Sequence, residues 1–543
     1  MAKPGLCSRC RGVNVKARPV ACTMLEGGSC SVCKEREAIR EKIKKLEEEI
    51  SKLKAKHHAL GSRMNAIHDP FIHKFPPEVG SHIFRLFLPT LDFGDDHIWP
   101  KAVTFTRVLR LGAVCRNWRQ LAWATPDLWD TLYVRISPSM TRSLAESLPV
   151  LLREWLNRSG IRPLTIFFRH SGCPEESEGS PSYDDFSDEC TAETWESTTD
   201  LEVIEIINLH SGRWRNLHLD VGADIPERLC GSTQPNQLLF LDLGIDGGRP
   251  PRPKFVMKSK PFPTQLALNN FPPTTIDIGW ENITRAVLCD LTADECLEVL
   301  QRAPLLKYCR VQLWRRATVN PRTTILHRRL RSLNSSYSGT RFLEAINVPS
   351  LEEWTHSTED NPLPVTAMVS LLKRSGCCLK IVNLQHVLVP PDDLHVLFQA
   401  MPSLERLRLQ FWSVKNAGGV MDDILARIFN SPPDNTTISE GANHESFLPR
   451  LQFMECTAGC GIVMAPFSWN HIPQLYRQGH RRSLTLKSAA KESHISDETA
   501  LQLLKLTDEG VDLQILDTTT EAGGDFLENF RKKVCGLSSL KRT

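Results

Sequence analysis

No run of about eighteen apolar residues occurs in this 543-residue chain, so no segment reads as a membrane-crossing helix. The amino terminus, Met-Ala-Lys-Pro-Gly-Leu-Cys, has no apolar stretch of the kind a secretory leader needs. A formal net charge of +3 is too small, over this length, for the overall field to draw in nucleic acid or lipid headgroups. The sequences of common catalytic sites are missing too: there is no Gly-x-x-x-x-Gly-Lys, no Gly-x-Ser-x-Gly and no His-Glu-x-x-His. The pairs Cys377-Cys378 and His57-His58 do not replace them, because adjacent residues point in different directions on a helix or strand. No catalytic residue is assigned, and the chain is not expected to be an enzyme. Its 17 cysteines are an odd number, and Cys289, Cys296 and Cys309 stand singly in apolar stretches, as reduced thiols do when packed as small hydrophobes. A cytoplasmic or nuclear protein with no membrane partner is expected. At 41% hydrophobic and 24% charged, the composition is that of globular domains, and the length allows two or three of them.

Residues 1–36 form a cysteine-bearing segment. Cys7-x2-Cys10 and Cys30-x2-Cys33 enclose 19 residues, a spacing that lets two knuckles supply four thiolates to one tetrahedral zinc. A structural zinc is one reading, and a flexible terminus with reduced thiols is the other. Residues 37–70 follow with apolar positions spaced alternately by four and three: Ile39, Ile43, Leu46, Ile50, Leu53, then His57, Leu60, Met64 and Ile67. That is a coiled-coil seam with Ile43 and Ile50 at a and Leu46, Leu53 and Leu60 at d, the combination favouring two parallel strands. Lys42 would face Glu47 of a second copy, and Glu49 would face Lys54. A homodimer is one expectation, and a lone helix folding back on its own chain is the alternative.

Over residues 71–135 the periodicity becomes that of short amphipathic helices. Phe75-Pro-Pro-Glu-Val79 suits a first helical turn, where proline loses no hydrogen bond and an acid meets the positive end of the dipole. Val79, Ile83, Phe84, Phe87 and Leu88 then recur as one apolar stripe, ended by Pro89. Leu111, Val114, Cys115, Trp118, Leu121 and Ala122 repeat the spacing, and Thr125-Pro126 reads as an N-cap before another short helix. Three small helices enclose little core, so apolar residues in this number point to burial against a partner.

These residues resemble an F-box in order and spacing, and the terminal Pro126-Asp-Leu128-Trp129 is similar to the version found in the large fungal expansion of that family. The departures are Phe75 where leucine is usual, Gly80 where a large apolar residue is usual, and an insertion from about Leu91 to Arg107. The resemblance implies docking on a Skp-family linker protein and, through it, on a cullin complex. It places Pro76, Pro77, Val79, Ile83, Phe84, Leu111, Val114, Trp118 and Leu121 at or behind that interface, with Cys115, Pro126, Leu128 and Trp129 as structural residues. Three ordinary helices of a globular domain are the plainer alternative. The cysteine segment is in turn similar to part of the fungal zinc-cluster DNA-binding module, but only five cysteines precede Cys115 where that module uses six.

Residues 136–212 are expected to connect the modules, with a helix and strand between Ser143 and Phe168. Between Arg169 and Arg213 there is no lysine or arginine, and Pro174 to Asp200 holds ten carboxylates. A stretch of that composition (170–200) cannot bury enough apolar surface to order itself, and a solvated insertion is expected. Within residues 213–543 the pattern Leu-x-x-Leu-x-Leu recurs from Trp214/Leu217/Leu219 and Leu238/Leu241/Leu243 to Leu404/Leu407/Leu409, with successive starts 20 to 28 residues apart; beyond Phe411 the register loosens, though Leu451/Met454/Cys456 and Leu484/Leu486 suggest further strands. That interval is in the leucine-rich-repeat range, and a non-repeating α/β domain is the alternative. The expected architecture is therefore α/β: an N-terminal coiled-coil helix, a three-helix F-box, and an irregular leucine-rich-repeat solenoid that holds a target protein. The expected function is a substrate-recognition adaptor of a Skp-cullin-F-box ubiquitin ligase. The alternative is a zinc-dependent DNA-binding transcriptional regulator dimerised by its coiled coil.

Overall fold

Ser31–His68 is one 38-residue helix, α1. Lys, Glu, Arg and Ala, all strong helix formers, fill its surface, and Arg40 pairs with Glu37 at 2.7 Å one turn away. The computed structural model describes residues 31–68, 74–88, 106–137, 140–170, 198–245, 253–313, 324–336, 340–358, 362–387, 391–411, 414–430, 447–458, 469–477, 485–490, 495–517 and 524–540. They divide into two units, Met1–Pro89 with Thr106–Thr125, and Thr90–Phe105 with Pro126–Thr543.

Besides α1, the first unit holds α2 (Pro77–Phe87), α3 (Arg107–Val114) and α4 (Arg116–Trp123). Pro76 is extended (φ −58°, ψ 151°) and starts α2, Pro77 occupies its first turn with Glu78, and extended Leu88 ends it. Cys115, at φ −155° and ψ 172°, breaks the chain between α3 and α4. Its sulfur then accepts the Trp118 N–H at 3.4 Å, as an N-cap would.

The second unit is built on one sheet, fifteen-stranded among the described residues. Its strands are β1 (Thr131–Ile136), β2 (Leu164–His170), β3 (Trp214–Val221), β4 (Phe240–Ile245), β5 (Gln265–Asn269), β6 (Arg285–Cys289), β7 (Tyr308–Gln312), β8 (Ser332–Ser336), β9 (Glu353–Ser357), β10 (Ile381–Val387), β11 (Arg406–Phe411), β12 (Phe453–Ala458), β13 (Thr485–Ala490), β14 (Leu513–Asp517) and β15 (Gly524–Asp525). Neighbours in sequence are neighbours in the sheet, parallel throughout except for the antiparallel β14–β15 pair. Parallel pairing demands a crossover between strands, and helices such as Ala293–Arg302 and Val365–Ser375 supply it. The first opens with a capping box in which Thr292 and Glu295 satisfy each other's backbone N–H. The second ends at Gly376, whose φ of 57° is strained for any residue with a Cβ.

Register decides the core. Leu132, Ile166, Leu217, Leu241, Leu266, Ala286, Cys309, Leu333, Trp354, Val382, Leu407, Met454, Leu486 and Leu513 form one lateral row, and all are buried. Two residues on, a second buried row runs from Val134 and Phe168 through Leu219 and Leu243 to Leu409 and Cys456. The recurring leucines of the sequence are these two rows.

The sheet begins ahead of residue 213, since β1 and β2 precede β3 and pair with it in series. The long segment between β2 and β3 does not prevent this, because the entropy of closing a loop grows only slowly with its length. Pro126–Leu128 is a single 3-10 turn leading into β1. Trp129 is buried there, edge-on to Trp155 at 4.8 Å and beneath the Arg158 guanidinium at 4.8 Å, while Asp127 pairs with Arg162. The Pro-x-Leu-Trp sequence thus anchors the start of the sheet to the helix Arg142–Arg158.

Candidate docking site on a two-faced helix

α2 is apolar on two sides. Gly80 and Phe84, one helical turn apart, are buried, and the Phe84 ring meets that of Trp118 at 4.8 Å and 46°. Val79, Ile83 and Leu86 follow the same spacing on another side and remain 40%, 38% and 72% exposed. The sequence reads as one stripe, but a helix turns 100° per residue, so adjacent Ile83 and Phe84 cannot share a face.

The two shorter helices hold α2 in place. Val108, Leu111 and Cys115 are buried with Phe84, and so is Ala122 on α4. The Ser81 and Thr125 hydroxyls lie 2.8 Å apart, joining α2 to the end of α4. Thr125 does not cap the following turn as its position suggests; its hydroxyl donates back to the Leu121 carbonyl at 2.7 Å. The last carbonyls of a helix have no intrahelical partner, and a threonine hydroxyl just beyond it can turn back to one of them. Arg119 donates from Nε to the Gly112 carbonyl at 2.8 Å and lays its guanidinium over Trp123 at 5.7 Å, bracing α3 against α4.

The residues singled out from sequence separate accordingly. Pro76, Pro77, Val79, Ile83 and Val114 are exposed, Trp118 and Leu121 are half-buried, and Phe84 and Leu111 lie inside. Of the structural set, Cys115, Leu128 and Trp129 are buried and Pro126 is exposed. Leu86, Leu109 and Trp123, exposed at 72%, 50% and 44%, were not picked out. Helical spacing from Val79 would have found Leu86; for the other two only the packing tells inside from outside.

Residues 72–135 match the family model described as F-box-like. The chain carries an F-box-like domain. No curated protein matches the chain. The matched range takes in α2, α3, α4, the Pro126–Leu128 turn and most of β1, so the F-box-like domain shares its last residues with the sheet unit.

The other candidate sites fare differently. The seam residues Ile43, Leu46, Ile50, Leu53 and Leu60 are all about half exposed along α1. Cys7, Cys10 and Cys30 lie outside the described residues, and so does the side chain of Cys33 in the first turn of α1. Of the acidic insertion expected over 170–200, residues 171–197 lie outside the described residues, whereas His170 ends β2 and residues 198–200 open the helix Thr198–Leu209. No helix among the described residues is long and apolar enough to cross a membrane.

Proposed function

We propose that this chain is a substrate-recognition adaptor of a Skp-cullin-F-box ubiquitin ligase. The outward stripe Val79, Ile83 and Leu86 of the F-box-like domain docks on a Skp-family linker, with Pro76, Pro77 and Val114 at its margin. Phe84, Leu111, Trp118 and Leu121 support that surface from behind. The observation carrying this reading is the second apolar side of α2, since covering its remaining exposed apolar area is favourable at roughly 25 cal/mol per Å². Replacing Val79, Ile83 and Leu86 together by alanine should abolish co-purification with the linker while the chain stays folded; undiminished recovery rejects the proposal.

The sheet unit is read as an irregular leucine-rich-repeat solenoid that holds the target. Strand order equal to chain order, one strand per 20 to 28 residues over most of the unit, and two unbroken buried rows support that reading. Transfer chemistry belongs to a partner ubiquitin-conjugating enzyme, and this chain contributes proximity and orientation. The exposed seam of α1 is read as the interface of a parallel homodimer, in which Lys42 meets the partner's Glu47 and Glu49 meets the partner's Lys54. Two receptors held together would raise the effective concentration seen by a multivalent target.

A further inference from the structure

Residues on the side of the sheet opposite the buried rows fall into ladders of their own. One ladder runs Arg310, Asn334, Thr355, Asn383, Arg408, Glu455 and Lys487 across β7 to β13. On the early strands polar groups on this face meet partners, as Arg169 pairs with Asp220 at 3.0 Å and His218 Nδ1 lies 3.0 Å from an Asp242 carboxylate oxygen. Over β11 to β13 they do not balance. The cationic groups of Arg406, Arg408 and Lys487 stand 5.3, 5.8 and 5.6 Å from the centre of the Phe453 ring. Glu455, between Arg408 and Lys487 in the ladder, pairs with Arg408 at 3.0 Å. Arg406 and Lys487 have no carboxylate partner among the described residues.

The flanks bound this window. Glu353 lies two strands to one side of Arg406, and Asp512, which accepts the Thr485 hydroxyl at 2.9 Å, lies two strands to the other side of Phe453. Between them β10 and β11 present the amides of Asn383, Gln385 and Gln410, all half-buried. Amides both donate and accept, which matches the alternating groups of a peptide main chain. Arg406 and Lys487 lie beside an aromatic ring rather than against a carboxylate, and so stay available to an incoming one.

We propose that this face, over β10 to β13, binds an acidic segment of the target protein. Asp or Glu carboxylates of that segment seat on Arg406, Arg408 and Lys487 around Phe453, and its main chain lies on Asn383 and Gln410. Four strands span about 15 Å, the reach of about five extended residues. Nucleic acid fits less well, because a continuous phosphate backbone would meet Glu353, Glu455 and Asp512, whereas a peptide can space its charges between them. The proposal rests on the sheet unit being the target-binding part, and its test is independent of linker binding.

The probe is a fluorescein-labelled peptide of about eight residues alternating Glu with Ser, titrated with the full chain and followed by anisotropy at several salt concentrations. Saturable binding that weakens with salt is expected. Replacing Arg406, Arg408 and Lys487 with alanine should lower affinity about tenfold or more, with linker co-purification unchanged. Glu455→Gln, which removes the competing carboxylate, should tighten binding and decides the matter if the triple variant does not fold. No saturable binding at low salt, a triple variant that folds and binds like the parent, a Glu455→Gln variant that does not bind more tightly, or an oligonucleotide of equal charge binding as well as the peptide would each overturn the proposal. Loss of linker binding in the parent with peptide binding intact would instead count against the F-box reading alone.

Discussion

The Oγ of Ser335 lies 2.7 Å from Nδ1 of His356, side by side in the buried row that leucine and valine occupy in neighbouring strands. Trp354 donates from Nε1 to the same Oγ at 3.1 Å, so three polar side chains satisfy one another inside β8 and β9. Burial pushes the His356 imidazole down to about 4 from its ordinary 6.5, because the charged form is the one that needs water.

A histidine whose pKa falls on folding is neutral in the native state, so protons bind preferentially to the unfolded chain. Its neutral form is fully compatible with the fold above about pH 6.5, and stability is lost as pH drops from there toward 4, by an amount on the order of 3 kcal/mol. Denaturant melts between pH 7 and 4 should show this slope, and His356→Gln should flatten it. A slope unchanged in the variant would assign the pH dependence to other groups.

Phe84 and Ile83 are adjacent and should respond in opposite ways. Phe84→Ala leaves a cavity against Trp118 and should cost about 3–5 kcal/mol of stability in the F-box-like domain. Ile83→Ala sits on the outward side and should leave the melting curve nearly unmoved while weakening linker binding. Equal loss of stability in both would mean that the outward stripe is already covered by the chain itself.

Replacing Leu46 and Leu53 with lysine puts charges into the α1 seam and should convert a dimer to monomer by light scattering. Reversing Lys42 to Glu alone should weaken association, and adding Glu47→Lys should restore it. If the unaltered chain is monomeric at micromolar concentration, α1 does not pair with a second copy.

Burial also raises the thiols of Cys289 to about 11 and Cys309 to about 12, and lifts those of Cys296 and Cys456 as well. Since the thiolate is the reactive form, these four should resist maleimide at neutral pH, whereas exposed Cys378 should label readily by mass spectrometry. Rapid labelling of Cys309 would reveal local opening of β7.

Much of this was legible in the chain. The heptad spacing along α1 and the proline-started α2 depend on neighbours within a turn or two, where period and side-chain chemistry act directly. The break at Cys115 was not: the spacing from Leu111 to Ala122 reads as one helix, and extended Cys115 divides it into α3 and α4. The leucines of β3 through β12 were legible for a related reason: each repeat buries the same positions, so their spacing survives irregular loops. The strand ending near Phe168 was legible as β2; β1, and the joining of both strands to β3 across a long connection, were not, because partners so far apart leave no local pattern.

Sequence by itself determined most of the helices and strands and which side chains are apolar enough to need cover, because those properties are local. Tertiary structure decided which cover each one received. It turned Phe84 inward and Ile83 outward, placed Trp129 against Trp155, and drew Arg406, Arg408 and Lys487 around Phe453 from three strands. Residues far apart in the chain acquire a common surface only once the register of the parallel ladder is set, and no local pattern encodes that register.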